Sequence, residues 1–364
     1  MRTGTANLPL HGGKCPAWLF SRMVEMSGAI IEVLVLNDGS EEVLNRMADP
    51  FWFQSFGCVL GFDWHSSGLT TTVTGAVKEA LKDRAGEIGL FVCGGKGKSS
   101  LRTPREIEAV GDRFALSLNP AELVRASRLT AKVDNAAVQD GYQLYHHVFL
   151  FTAGGRWAVV QQGMNEMARY ARRYHWLSEG LADFACEPHA AVCAERPSQV
   201  VLNLVAAESE EARKLSSELA CTRPDILVKD LQRLQERHLH LARHHSLLLR
   251  DLHPKSVERV LLKSYAAQPK EFIELLGLEG VGAKGLRALS LIAELVYGTP
   301  ASYRDPARFS FAHGGKDGHP FPVDRRVYDR SIESLRRAVD AARLGRNDKI
   351  AALKRLARFQ PGSD

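Results

Sequence analysis

Apolar residues recur at helical spacing through Ala17–Leu36, AWLFSRMVEMSGAIIEVLVL, and predict a helix. Its end, IIEVLVL, also suits a strand. Glu41–Met47 predicts a short helix opened by Ser40, and Gly75–Ala85 an amphipathic one. Gly89–Cys93 reads as a short buried strand that ends in glycines. Pro120 opens a helical stretch that runs to Gln139. His146–Phe151 and Arg156–Gln161 are two β-rich runs separated by Thr152–Gly155, a hairpin signal.

From about Glu208 the pattern becomes all helical. Leu227, Leu231, Leu234, His238, Leu241, His245 and Leu248 form one face of a long helix, closed by a break at Asp251–Pro254. Lys255–Gln268, Pro269–Gly277 and Ala283–Tyr297 follow, with a glycine turn before the last. Thr299–Pro322 carries four prolines and four aromatics and reads as a long ordered loop. A basic helix, Arg325–Arg343, and a basic tail, Lys349–Arg358, complete the pattern. The expected class is α+β. Residues 1–205 form a mixed α/β domain with a β-hairpin near 146–161, and residues 206–364 an all-helical domain with a helix–hairpin–helix at 270–297.

Charge changes this picture by its distribution. The chain of 364 residues carries 48 Lys+Arg against 42 Asp+Glu, a formal net charge of +6. Between Ala283 and Arg358 alone there are 16 Lys/Arg and 8 Asp/Glu, so the basic excess sits in the C-terminal fifth. This points to a polyanion partner. Six cysteines without a C-x-x-C pair give no zinc ribbon and no thioredoxin motif, and free buried thiols are expected. No signal peptide and no membrane-spanning run is evident, so a cytoplasmic protein without a membrane partner is expected.

The most specific segment is Leu275–Ala293, LLGLEGVGAKGLRALSLIA. Gly280 and Gly282 flank Val281 in a turn between two helices. Glycine permits positive φ there, and the N–H groups opening the second helix suit a phosphate oxygen. Residues 255–340 resemble the helix–hairpin–helix DNA glycosylases. In bifunctional members a lysine stands second after the turn, which is Lys284 here, and an aspartate follows in a V-D-x-x-V run, here Val323-Asp324-Arg325-Arg326-Val327. The resemblance implies that Lys284 forms a Schiff base with the sugar and that Asp324 stabilises developing positive charge. The chemistry asks for a lysine whose ammonium is disfavoured by apolar surroundings. Two features depart from that family. Lys284 and Asp324 stand 40 residues apart, about twice the usual separation, and no cysteine after Cys221 remains to hold an iron–sulfur cluster.

Other constellations carry their own chemistry. Asp63 and His65 in GFDWHSSGLTTT share one face of an extended segment beside hydroxyls, a metal or phosphate pattern. His11-Gly12-Gly13-Lys14 and His313-Gly314-Gly315-Lys316 are glycine loops with a base and a phosphate-binding lysine. Arg172-Arg173-Tyr174-His175-Trp176 interleaves cations with aromatics, which suits base stacking or packing at a sheet edge. Asp140–His147 leads into the hairpin, and Gln161-Gln162 closes its second strand. Gly94–Ser99 ends in G-K-S, but Val92 stands where a Walker A needs glycine. His240 and His244 have i,i+4 metal-pair spacing, with no third ligand evident, so solvated or partly packed histidines are expected.

RTGTANLPLHGGK, DPFWFQSFGCVLGFDWHSSGLTTT, WAVVQQGMN, RRYHW and HGGKDGHPFPVDRRVYD together resemble a prokaryotic conserved family of unknown function over nearly the whole chain. That resemblance implies no activity. The expected function is a DNA-binding protein of repair or processing, a glycosylase/AP lyase using Lys284 and Asp324. The alternatives are a metal-dependent nuclease centred on Asp63 and His65, and a non-catalytic DNA-binding module. The expected nucleic-acid contacts are Gly280, Gly282, Lys284, Arg325, Arg326, Arg173 and Lys316, and the partner is double-stranded or damaged DNA. The candidate cofactor is a divalent metal of unassigned ligands, and protein partners are not assigned.

Overall fold

The computed structural model describes residues 15–62, 67–116, 118–194, 198, 200–236, 241, 243–307 and 325–357. Helices α1 (Ala17–Asp38), α2 (Ser40–Ala48), α3 (Pro50–Val59) and α4 (Gly68–Leu81) come first. A turn of helix α5 (Ala85–Ile88) leads into β1 (Leu90–Lys96). Helices α6 (Lys98–Leu101), α7 (Thr103–Phe114) and α8 (Pro120–Lys132) follow, and α8 runs directly into a π-helix, Val133–Ala137. Then come strands β2 (Val138–Gln139), β3 (Gln143–Thr152), β4 (Trp157–Asn165), β5 (Tyr170–Leu177), β6 (Ala191–Cys193) and β7 (Leu202–Asn203). Helices α9 (Glu210–Ala220), α10 (Pro224–Glu236), α11 (Arg243–Leu249), α12 (Pro254–Ala267), α13 (Phe272–Gly277) and α14 (Ala283–Leu295) precede α15 (Arg325–Ala341) and α16 (Arg346–Ala357).

The main sheet is antiparallel in the order β1-β3-β4-β5-β6. The expected hairpin is its centre, with Phe151 opposite Trp157 and Val148 opposite Val160. Side chains alternate between faces. Val148, Leu150, Ala158 and Val160 join an apolar core with α1–α4, α15 and α16. Phe149, Phe151, Trp157, Val159 and Trp176 join a second core with α7–α14. Helices therefore cover both faces, which is why the strands read as continuous apolar runs. Asp49 shows how one of the covering helices starts. Its Oδ1 accepts from Phe51 N at 2.9 Å, and Pro50 takes the first helical position. All ten residues of α3 are buried.

Two expectations change. The long helix over Leu227–Leu248 is two, because α10 ends at Glu236 and α11 begins at Arg243. The helices after Glu208 also divide between the two faces of the sheet. Helices α9–α14 pack on the β3–β5 side that carries Phe149, whereas α15 packs on α1 and α3 on the opposite side. All six cysteines are free, and Cys58, Cys93 and Cys193 are buried as expected, whereas Cys15, Cys186 and Cys221 are only partly so. No helix among the described residues is long and apolar enough to cross a membrane.

A buried ion pair fastens the sheet to the chain after α14. Arg172 on β5 donates through Nη1 to Asp140 Oδ2 at 2.7 Å, and through Nη1 and Nη2 to Asp305 at 2.9 and 2.7 Å. Burial opposes the guanidinium charge, but Asp140 and Asp305 outweigh it and hold the pKa above its ordinary value. Tyr174 donates to the same Asp140 carboxylate at 2.9 Å. Removing one member leaves a buried charge without its partner. Arg172→Ala is therefore expected to lower stability by about 3–5 kcal/mol in urea unfolding at neutral pH. Wild-type stability in that variant would show that the pair does not hold this part of the fold.

Candidate active site at the glycine turn

A cavity of about 820 Å³ opens between α8, the start of β3 and the glycine turn. Its lining includes Ser127, Arg128 and Lys132 from α8, His146 and His147 from β3, and Gly280-Val281-Gly282. The fold thus brings residues 127–147 against residues 277–282, far away in sequence.

The turn has the geometry of its sequence. Gly280 takes φ +87°, where a side chain is strained, and an added Cβ would meet Lys263 Nζ at 2.7 Å. Gly282 is extended, at φ −131° and ψ −170°, with open space where a Cβ would go. Val281 is buried between the helices. Two side chains from the α8 end dock the turn. Lys132 Nζ donates to Leu278 O at 3.0 Å and Val281 O at 2.5 Å, and Gln139 Nε2 donates to Ala283 O at 2.8 Å. Burial pushes the Lys132 pKa down. Gly282 has no side chain to cap the first turn of α14, so the N–H groups there face outward from the helix end.

On the opposite wall lies a directional hydrogen-bond chain. Gln161 Nε2 donates to Thr130 O at 3.0 Å and to Asp134 Oδ2, which fixes the amide orientation. Its Oε1 then accepts from His147 Nδ1 at 2.6 Å. His147 Nε2 is left as the acceptor for the Ser127 hydroxyl, 2.9 Å away. Asp134 sits in the π-helix and also accepts from Trp176 Nε1 at 2.9 Å and from His189. The order is serine, histidine, glutamine, aspartate. A base beside a hydroxyl, oriented by a third group, is the arrangement that activates a nucleophile. Ser127 and His147 are 2% and 5% exposed, so the hydroxyl is dry but lies at the cavity.

His146 adds a second neutral imidazole. Thr74 spends its hydroxyl proton on Thr70 O at 2.7 Å, so His146 Nε2 must donate to Thr74 Oγ1 at 2.9 Å. Nδ1 keeps a lone pair, and among the described residues it has no hydrogen-bond partner. Burial, with smaller contributions from His147 and Lys96, lowers its pKa to about 3.

The sequence candidates fall into three groups. Gly280 and Gly282 line the cavity. Lys284 does not. Its side chain is about half exposed, and Nζ donates to Asp251 O at 3.1 Å beside the Asp251 carboxylate. The apolar surroundings expected for a Schiff-base lysine are not found there. Arg173 lies inside the fold. It is fully buried, donates to His175 Nε2 at 2.9 Å and Gln54 Oε1 at 3.0 Å, and lies over the Phe53 ring. From the inner strand β5 it faces the α3–α4 layer, and its guanidinium is not exposed. Asp63, His65, Lys316 and Asp324 lie outside the described residues. Arg325 and Arg326 are the first residues of α15, a helix that packs on the sheet face opposite the glycine turn. The glycines after β1 also find a structural use, since a Cβ on Gly94 would lie 2.2 Å from His147 O.

Ser127 and Asp134 were not singled out by sequence, and His147 and Gln161 were read only as strand ends. A usable signal was present. HisHis, GlnGln and ArgArg each stand at one end of an apolar strand, and the register aligns them, with His146 opposite Gln162 and Gln162 opposite Arg173.

The fold and cavity define an α+β protein, a helix-covered antiparallel sheet carrying a serine–histidine chain on one face of its inner strands. A family model described as a protein of unknown function (DUF763) matches residues 4–323, and the chain belongs to that family. No curated protein and no solved structure matches the chain.

The buried histidines set an acid response. Burial lowers the pKa of His147, and burial with Arg173 lowers that of His175, as burial does for His146. A lowered folded-state value means that the unfolded chain binds protons first as pH falls below about 6.5. The stability these groups contribute is present above pH 6.5 and is lost on acidification. Each histidine is expected to add a slope of about 1.4 kcal/mol per pH unit between pH 6.5 and its folded value. Urea unfolding from pH 7 to pH 5 measures it. A flat profile would contradict neutral burial of all three.

Proposed function

We propose that this protein is a DNA-acting hydrolase whose reaction occurs in the cavity beside the glycine turn. The observation that carries the reading is that one cavity is lined both by Gly280–Gly282 and by the Ser127–His147 pair. The N–H groups at the start of α14 bind a phosphate, with Arg128 on the same lining. Ser127 Oγ attacks phosphorus as its proton passes to His147 Nε2. The bond from phosphorus to the leaving oxygen breaks, and His147 returns the proton to that oxygen. Water, deprotonated by His147, then releases the phosphate from Ser127 and restores both groups. Gln161 holds the imidazole tautomer, and Asp134 supports Gln161.

The helix–hairpin–helix resemblance supports phosphate binding at the turn. The lyase chemistry it implies draws less support, because Lys284 is paired with Asp251 outside the cavity lining.

Cleavage and binding across abasic, uracil-containing, branched and single-stranded DNA test the reading. Cleavage of at least one substrate is expected. Ser127→Ala abolishes it with binding retained, and His147→Ala slows it by roughly 10²–10⁴-fold. The acid limb of the rate profile falls below pH 6.5, since burial keeps His147 neutral there. Gly282→Ala leaves the fold intact, because the added Cβ meets nothing within 4 Å, and weakens DNA binding. Undiminished cleavage by Ser127→Ala, or a borohydride-trapped adduct lost in Lys284→Ala, would overturn the assignment.

A further inference from the structure

Three potential ligand atoms converge at the other end of α14. His244 and His245 are neighbours on α11, and Glu294 lies in the last turn of α14. His244 Nε2 is 3.0 Å from His245 Nε2, and His245 Nε2 is 2.9 Å from Glu294 Oε1. One ligand atom from each residue lies within 4.8 Å of the others.

Hydrogen bonding accounts for only part of this cluster. A neutral imidazole carries one N–H. If His245 Nε2 holds the proton, it donates to Glu294 and has no lone pair for His244. If it holds the lone pair, that pair faces the carboxylate. A shared cation gives every one of the three atoms a direct partner without a bifurcated N–H. Metal–nitrogen and metal–oxygen bonds of about 2.0–2.2 Å place tetrahedral ligand atoms roughly 3.3 Å apart, near the spacings of 3.0 and 2.9 Å on either side of His245, with the third pair within 4.8 Å.

The surroundings fit the same reading. The second carboxylate oxygen of Glu294 accepts the Tyr303 hydroxyl, an outer-shell bond that orients a ligating carboxylate. The Tyr303 ring packs edge-on against His244 at 4.6 Å. Side-chain exposure of His245 and Glu294 is 11% and 14%, and among the described residues no Lys or Arg forms an ion pair with Glu294. A mostly buried carboxylate with two imidazoles and no basic partner is a donor set for a borderline divalent cation.

We propose that His244, His245 and Glu294 bind one zinc-class divalent cation, with water in the fourth position and Tyr303 holding Glu294. The site fastens α11 to the C-terminal turn of α14. It is separate from the cavity chemistry and does not depend on it. The i,i+4 spacing of His240 and His244 suggested a different pair. His240 lies outside the described residues, and the structure instead sets His244 beside His245.

Metal removal and return test the proposal on the full chain. Protein stripped with a chelator is expected to take up one equivalent of zinc and to melt at a higher temperature when loaded. Cobalt(II) in its place is expected to give the visible absorption of a tetrahedral N/O site, a readout that needs no variant. His245→Ala and Glu294→Gln lose the bound metal, and Tyr303→Phe weakens it by about 10–100-fold. Circular dichroism of Glu294→Gln separates lost ligation from lost folding. Absence of stoichiometric zinc and of a cobalt spectrum in the wild type overturns the proposal. So does zinc bound with wild-type affinity by folded Glu294→Gln.

Discussion

The constraint on which this structure depends is the burial of polar side chains on both faces of its central strands. His146, His147, Gln161, Gln162, Arg172, Arg173 and His175 are all buried in β3–β5. Each would cost several kcal/mol there without partners. Strand pairing satisfies only backbone groups, so the side chains must find partners above and below the sheet. On one face Thr70, Thr74 and Gln54 supply them from α4 and α3. On the other, Ser127, Thr130, Asp134 and Asp140 supply them from α8 and the segment after it, and Asp305 from beyond α14. The polar band thereby fixes where the covering helices sit. A one-residue slip of β4 would exchange Gln161 with Gln162 and break both sets.

This explains which parts of the fold were legible in the sequence. Ala17–Asp38 and the β3–β4 hairpin depend on local periodicity, and both appear close to the expected bounds. The segment RRYHW does not obey that logic. Cations beside aromatics read as a stacking surface, yet Arg172 and Arg173 are interior because Asp140, Asp305 and Gln54 lie far away in sequence. The Ser127–His147 pair was illegible for a related reason. A serine inside an amphipathic helix carries no local mark, and only the packing of α8 on β3 and β4 gives it a base. The glycine turn was legible as a turn because Gly280 requires positive φ. Its docking by Lys132, 146 residues from Leu278, was not.

The basic C-terminal fifth likewise divides once the chain is folded. Ile332, Leu335, Ala338 and Val339 turn one stripe of α15 into the core beside α1 and α3. Arg355 on α16 donates to Val59 O at 2.6 and 2.9 Å, so one of the surplus cations closes the end of α3. Net charge along a sequence therefore overstates a nucleic-acid face when amphipathic helices carry it. Among the described residues none of these C-terminal cations lines the cavity; the basic side chains there are Arg128 and Lys132 of α8, and Lys132 is already engaged by turn carbonyls.

Helix α14 connects the two sites of interest. Its first residues follow the glycine turn at the cavity, and Glu294 stands eleven residues later beside His244 and His245. At 1.5 Å per residue the separation along the axis is about 16 Å, too far for a cation at Glu294 to touch a group reacting at Ser127. A metal there would fasten α11 to α14 and take no part in the cavity. Lys132 and Gln139 hold the N-terminal end against α8, and Arg287 Nε donates to Gln139 Oε1 at 2.7 Å to brace the same corner. The C-terminal end has α11 as its neighbour, a seven-residue helix. So short a helix has little stability of its own. A cation shared between His244, His245 and Glu294 would add a restraint between α11 and the C-terminal end of α14, apart from the hydrogen bonds that hold the N-terminal end beside the cavity.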